Sequence, residues 1–188
     1  MAQRRLFPSF FLGGFECSTQ IDRSRQRRDF VRLTQHDRFF REDYERARNV
    51  GIRAIREGVR WYLCERNGRF DFSSIAPMVD TAVDLCMTQI NCLLHYGYPI
   101  DLDPLQPAFP ERFAAFCAAY AEWRKSRVPA PRWYGVVNEI SLFAHIGGNV
   151  AWFAPFFTDR AHELKVALVK AALEATDAIR RVDSDAHF

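Results

Sequence analysis

Trp133-Tyr134-Gly135-Val136-Val137-Asn138-Glu139 is the stretch on which the reading of this chain turns. Aromatic and β-branched residues suit a short buried strand, and the run breaks off at an amide followed by a carboxylic acid. Such a strand carries Glu139 out at its carboxyl end. Upstream, Pro110 opens a helix with Phe113, Phe116, Cys117, Tyr120 and Trp123 at helical spacing along one side. Before that helix, residues 90–95 form a nearly continuous apolar run, as expected of a strand covered on both faces.

The same alternation extends outward in both directions. Ser73 or Ser74 suits the cap of a helix whose apolar positions are Met78, Val79, Ala82, Val83 and Cys86. Residues 52–56 read as a strand with a short continuation to Trp61. Residues 37–49 have helical spacing, with Phe40, Tyr44 and Ala47 on one side, and Asn49-Val50-Gly51 stops them. Residues 9–12 read as a first strand running into Gly13-Gly14. Downstream, residues 158–181 form a long Ala-rich helix with Leu164, Leu168, Ala171, Ala175 and Ile179 on one side. Residues 185–188 begin a further strand.

Strand–helix alternation at this spacing predicts βαβ units around a parallel sheet. A doubly wound nucleotide-binding sheet wants G-x-G-x-x-G after its first strand, and Gly13-Gly14 does not supply it. A barrel is favoured instead, because Arg56, His95 and Asn138-Glu139 stand at successive strand ends. In a barrel those ends converge on one mouth. The expected fold is an α/β, (β/α)8 TIM barrel, incomplete: the first four βα units and the start of strand five. Residues 1–188 form one domain in this reading, where a full barrel takes about 250 residues.

Hydrophobic residues make up 48% of the 188, enough for one core, and a charged fraction of 26% is ordinary for a folded domain. The net charge is +3, and Arg23-Ser24-Arg25-Gln26-Arg27-Arg28 holds much of the positive side. Lacking interleaved aromatics or glycines, that run reads as a solvated loop, and no nucleic-acid partner is expected. The five cysteines are widely spaced, with no C-x-x-C and no Cys/His cluster at metal spacing. No metal or other cofactor is expected, and the thiols read as small buried groups in a reducing, cytoplasmic setting. Residues 6–14 are too short and too interrupted by Pro8 for a signal peptide. No apolar stretch reaches the roughly 20 residues that a membrane helix needs, so no membrane partner is expected.

Glu139, set among Trp133, Tyr134, Phe143 and Trp152, would be partly desolvated and held protonated near neutrality. That is what a general acid for glycosidic cleavage requires. The bland alternative is that it caps the helical turn over residues 140–144. In His95-Tyr96-Gly97-Tyr98-Pro99, a His can bond a sugar hydroxyl, and Tyr rings offer flat faces for a pyranose. Arg56 ends its strand, with a rim ion pair as its structural alternative. Gln20 is an amide able to make two hydrogen bonds. Glu16 and Glu57 also stand at plausible strand ends, and both read as structural.

Taken together, these pieces resemble the N-terminal half of family 1 glycoside hydrolases, from Phe10 to the end of the chain. Phe11-Leu12-Gly13-Gly14 through Gln20-Ile21-Asp22 is similar to the family's opening strand and its sugar-binding Gln. His36-Asp37-Arg38-Phe39-Phe40-Arg41-Glu42-Asp43 resembles the segment leading into its first helix. Ala54-Ile55-Arg56-Glu57-Gly58-Val59-Arg60-Trp61 resembles the second strand, and Leu94-His95-Tyr96-Gly97-Tyr98-Pro99 is similar to the family's His-Trp-Asp-Leu-Pro. Val137-Asn138-Glu139-Ile140 resembles its Asn-Glu-Pro. Four departures stand out: Tyr96-Gly97 for Trp-Asp, Ile140 for Pro, Gly13 for Trp, and a loop one residue shorter before Gln20.

The resemblance implies a retaining, β-glucosidase-like glycosidase acting on a carbohydrate substrate, a β-glycoside. Glu139 would be its acid/base. Asn138 would bond the sugar 2-hydroxyl, His95 and Gln20 would be sugar contacts, Arg56 would support the nucleophile, and Tyr96 would line the site. The family's nucleophile follows strand seven, and no residue here matches it. The chain alone is therefore expected to be an inactive fragment, and a complementary C-terminal half-barrel is the partner such a half would take. The other reading is a non-catalytic sugar-binding or scaffold half-barrel. A metal-dependent barrel hydrolase is disfavoured, because His36, His95, His145, His162 and His187 lack ligand-like spacing.

Overall fold

The structure, a computed structural model, describes residues 6–188. Its frame is five parallel strands in the order β1 (Gly13–Gly14), β2 (Ala54–Gly58), β5 (Thr88–Leu94), β6 (Arg132–Val137) and β7 (Ala186–His187). Each strand pairs only with the next one along, as in the wall of a barrel. Between β1 and β2 lie α1 (Phe30–Leu33) and α2 (His36–Asn49). Between β2 and β5 come α3 (Trp61–Cys64), a two-residue ribbon of β3 (Glu65–Arg66) with β4 (Arg69–Phe70), and α4 (Ala76–Asp84). Then α5 (Ala108–Lys125) links β5 to β6, and α6 (Ile140–Gly148) with α7 (Ala161–Val182) links β6 to β7. This is the first half of a (β/α)8-type barrel.

The helices form where the apolar stripes require them. In α7, Leu164, Leu168, Ala171, Ala175 and Ile179 are all completely buried, while the polar flank faces water. In α5, Phe113, Phe116, Cys117 and Tyr120 are likewise fully buried, and Trp61 packs against Phe109, Phe113 and Phe116. At about 25 cal/mol per Å2 of apolar surface, each such ring contributes roughly 2–3 kcal/mol to holding the helices on the sheet.

The strands divide their side chains by the two-residue pleat. On β2, Arg56 points to the barrel interior, while its neighbour Glu57 points out to α2 and is fully buried there. On β5, Cys92 faces Arg56, while Gln89 and Asn91 turn outward to meet Tyr44 and Tyr120. The outer layer is therefore more polar than an apolar run suggests: Glu57 and Gln89 are hydrogen-bonded there, and Asn91 accepts from Tyr120 through Oδ1 while its buried Nδ2 has no partner.

Two elements differ from the sequence reading. Residues 9–12 are not a strand: β1 is only Gly13–Gly14, and Phe10 and Phe11 are exposed. Ser9 Oγ accepts from Arg53 N and donates to Phe11 O, using the backbone groups a longer ladder would have paired. Nor do Ser73 and Ser74 cap α4. Ile75 holds that position, Ser73 N donates to Asp71 Oδ1, and Val83 and Cys86 are exposed. The Arg-rich run is a loop as expected, though a tethered one. Arg23 donates to Val150 O and Ala151 O, and Arg27 to Thr19 O and Tyr98 O.

Candidate active site

The loops that follow β1, β5 and β6 meet at the carboxyl ends of the strands. Thr19 N donates to His95 O at 3.0 Å, Ala154 N donates to Ile21 O at 2.9 Å, and Asp22 bridges to Phe153. Gly97 is a point of forced contact. A Cβ there would overlap the side chain and backbone of Thr19, so only glycine lets the first loop close on the third. Residue 97 thus has a steric reason to be glycine.

A directional chain of hydrogen bonds runs through this mouth. Arg56 Nη2 donates to Asn138 Oδ1 at 2.6 Å, Asn138 Nδ2 donates to the Tyr96 hydroxyl at 3.0 Å, and that hydroxyl donates to Glu139 Oε2 at 2.8 Å. A guanidinium can only donate, so Asn138 Oδ1 accepts from it and the amide nitrogen is left to donate onward to Tyr96. One amide hydrogen and one oxygen lone pair of Asn138 remain free for a ligand hydroxyl. Burial raises the Tyr96 phenol above its ordinary value, and the bond to Glu139 raises it further.

Glu139 occupies the N-cap position of α6, yet its side chain makes no capping hydrogen bond. Its backbone is left-handed, with φ 43°, as is that of Tyr96 with φ 64°. For non-glycine residues each such conformation costs roughly 1–2 kcal/mol, and outliers of this kind collect at functional sites. The partial desolvation expected of Glu139 is absent, because its side chain is exposed. Phe143 packs beneath Tyr96 instead, Trp152 lies outward against Arg23, and Tyr134 turns away to Asp183. The aromatic wall is one-sided.

His95 is buried with its two nitrogens in different company. Nδ1 lies 3.2 Å from Arg56 Nη2 and 3.2 Å from Cys17 Sγ, while Nε2 lies 4.0 Å from Glu16 Oε1. Because Arg56 only donates, Nδ1 accepts, and the neutral ring carries its proton on Nε2. Burial, and then the Arg56 charge, push the His95 pKa down to about 4, so the ring is uncharged at neutral pH. Arg56 Nη2 also lies 3.2 Å from Cys92 Sγ. A hydrogen bond from Cys17, together with Arg56, brings the Cys92 thiol down to about 7, and Cys17 is pushed up in consequence.

Arg56, His95, Tyr96, Asn138 and Glu139 are therefore brought into one connected cluster. Gln20 is not: it follows Thr19, its Oε1 is buried with no partner, and no side-chain bond joins it to the others among the described residues. Glu57 lies behind the sheet, bonded to His36 and Tyr44, a structural role. Glu16, read from the sequence as a structural carboxylate at a strand end, lies instead at the mouth. It is exposed beside His95, and Ser18 and His95 hold its pKa below the ordinary value despite partial burial. Cys17 and Cys92 also enter the cluster, joined by the fold across 75 residues of sequence.

No family model matches the sequence, and no curated protein matches it. Solved structures do. A family 1 β-glucosidase from Thermotoga maritima superposes with a TM-score of 0.72 at 22% identity, covering 80% of this chain and 36% of that one. The β-glucosidase from Thermotoga maritima in complex with azafagomine gives 0.79 at 19%, covering 98% and 48%. The virulence factor SghA, in complex with its substrate analog salicin, gives 0.71 at 15%, covering 80% and 35%. The chain thus spans less than half the length of each of these proteins. What the likeness establishes is the fold, a partial TIM barrel of the family 1 β-glucosidase type.

Proposed function

From that shared fold, we propose that this chain is the acid/base half of a retaining β-glycosidase, with Glu139 as proton donor. The observation that carries the reading is the chain of bonds from Arg56 through Asn138 and Tyr96 to Glu139. It leaves a carboxyl group uncapped, aimed by a phenol and exposed at the strand ends, where barrel chemistry is done. In the proposed reaction Glu139 gives its proton to the leaving oxygen as the glycosidic C–O bond breaks. A carboxylate from a complementary C-terminal half-barrel, about 5–5.5 Å away, bonds to the anomeric carbon. Glu139 then takes a proton from the water that releases the sugar.

Around that step, Asn138 offers its free amide hydrogen to the sugar 2-hydroxyl and His95 offers Nε2–H to a neighbouring hydroxyl. Tyr96 holds the acid, and Arg56 anchors the chain of bonds and faces the incoming nucleophile. A reducing, cytoplasmic setting is consistent with five free cysteines, four of them buried. Among the described residues, no helix is long and apolar enough to cross a membrane.

The test has two arms. The purified chain is assayed on nitrophenyl β-glycosides, alone and mixed with a C-terminal half-barrel carrying strands five to eight, with E139Q alongside. The expected result is no turnover from the chain alone and turnover from the mixture that E139Q abolishes. Turnover from the chain alone, lost in E139Q, would overturn the need for a second half. Binding of deoxynojirimycin by the chain, with no turnover in any mixture, would favour the non-catalytic sugar-binding scaffold. Neither binding nor turnover would end the glycosidase reading.

A further inference from the structure

Beneath the groups assigned to sugar lie three that the glycosidase reading leaves unused: Cys17, Cys92 and the inner nitrogen of His95. All three residues are buried, and Cys17 Sγ, Cys92 Sγ and a His95 nitrogen lie within 4.8 Å of one another. They arrive from separate places, Cys17 from the loop after β1, Cys92 from the middle of β5, and His95 from just past its end. Gly58 makes the meeting possible. It pairs with Cys92 in the sheet, and a Cβ on it would collide with the Cys17 side chain. The first loop can bring its thiol across β2 only because residue 58 has no side chain.

We propose that Cys17, Cys92 and His95 Nδ1 form a three-ligand site for a thiophilic divalent d10 cation, of which Zn2+ is the type, leaving a fourth position open. The donor set is soft, two sulfurs and one imidazole, which is the chemistry such ions select over oxygen-ligand cations. Bonds of about 2.0–2.3 Å in tetrahedral geometry put ligand atoms roughly 3.3–3.8 Å apart. The Cys17–His95 pair already lies at 3.2 Å, and no pair in the triad exceeds 4.8 Å.

Two further features match. Nδ1 is the acceptor nitrogen, so its lone pair is directed into the cluster. Nε2, which carries the proton, has the Glu16 carboxylate 4.0 Å away, the kind of partner that orients a metal-bound imidazole. Charge also balances. Two thiolates offset the dication, and Arg56 is offset by Glu16. Loading exchanges one cation for the protons still held by the two thiols, which leave to the buffer. Arg56 Nη2 must give up its contact with Nδ1, while keeping Asn138 Oδ1 at 2.6 Å. The site goes beyond the glycosidase reading and does not rest on it.

The test uses the full chain in a C86S background, which removes the one exposed thiol. Reduced, chelator-treated protein is titrated anaerobically with Cd2+, without sugar. One equivalent should bind, with a sulfur-to-cadmium charge-transfer band in the near ultraviolet and release of protons. Cys17 and Cys92 should become protected from alkylation, as read by mass spectrometry. C17S and C92S should each weaken binding by at least about 100-fold. The alkylation pattern of the unsubstituted cysteines keeps the question answerable if either variant fails to fold. Absence of binding, undiminished binding in C17S and C92S, or protection at Cys64 and Cys117 instead would each overturn the site. So would conversion of Cys17 and Cys92 to a disulfide with no cation uptake.

Discussion

The Tyr96 hydroxyl donates to Glu139 Oε2 at 2.8 Å while accepting from Asn138 Nδ2 at 3.0 Å. It is the middle link between a fixed cation, Arg56, and the exposed carboxylate, and serial hydrogen bonds polarise one another. Tyr96→Phe removes both bonds at once, and we expect it to lower stability by about 1–2 kcal/mol. Arg56→Met breaks the same chain one link earlier, so the double variant should cost less than the sum of the singles. A coupling of about 0.5 kcal/mol or more in urea unfolding is the expected reading, and strict additivity would mean that the links act independently.

Glu139 keeps a left-handed backbone without glycine's freedom. Asn tolerates that conformation far better than Glu. Glu139→Asn should therefore raise stability by about 0.5–1 kcal/mol, whereas Glu139→Gln, which loses the same charge but keeps the strain, should not. Thermal melts of the two variants beside the parent chain check this. Equal melting of all three would show that the strain is relieved elsewhere.

What the sequence makes legible follows from its periodicities. The stripe of α7 and the ring-lined face of α5 are readable because burial at helical spacing leaves few alternatives, and all five named positions of α7 are buried. Parallel order is readable because helices must cross between strands. The cluster of Arg56, His95, Asn138 and Glu139 is readable because strand ends converge in a barrel. What cannot be read is contact made by the fold alone. Cys17 and Cys92 have no spacing that announces them, and the approach that unites them depends on the missing side chain of Gly58. Glu16 and Glu57 look alike in sequence, yet one faces the mouth and the other is sealed behind β2. The exposure of Glu139 is equally hidden, since aromatic neighbours in sequence turn to different sides.

Behind the sheet, His36 Nε2 lies 2.9 Å from Glu57 Oε2 and its Nδ1 lies 2.7 Å from Asp43 Oδ2, while Tyr44 donates to Glu57 at 2.6 Å. Burial alone would lower the His36 pKa, but the Glu57 and Asp43 carboxylates raise it above its ordinary 6.5. The folded chain thus holds this proton more tightly than the unfolded one. The stabilisation is complete below the unfolded value near 6.5 and drains away as pH rises through the higher folded value. Urea midpoints should accordingly fall as pH climbs above about 6.5, and His36→Gln should flatten that slope. A midpoint indifferent to pH in the parent chain would show that the imidazole binds its proton equally well in the folded and unfolded chain.

The closest backbone approach in the mouth gives the sharpest steric expectation. Gly97 lies against Thr19, where a methyl group would overlap Thr19 Oγ1 and the carbonyl beside it. Neither can yield cheaply, because Thr19 is buried and its own N–H is committed to His95 O at 3.0 Å. Gly97→Ala must therefore push the first loop off the third, at about 3 kcal/mol, the upper end of what one added methyl costs in a packed interior. The displacement falls between Cys17 and Gln20 on one side and His95 and Tyr96 on the other. A lower urea midpoint should then be accompanied by weaker deoxynojirimycin binding and weaker cadmium uptake. Thr19→Gly in the same chain removes the obstructing hydroxyl and should recover part of the stability. If Gly97→Ala alone melts like the parent, the loops have room to spare and their contact does not set the shape of the mouth.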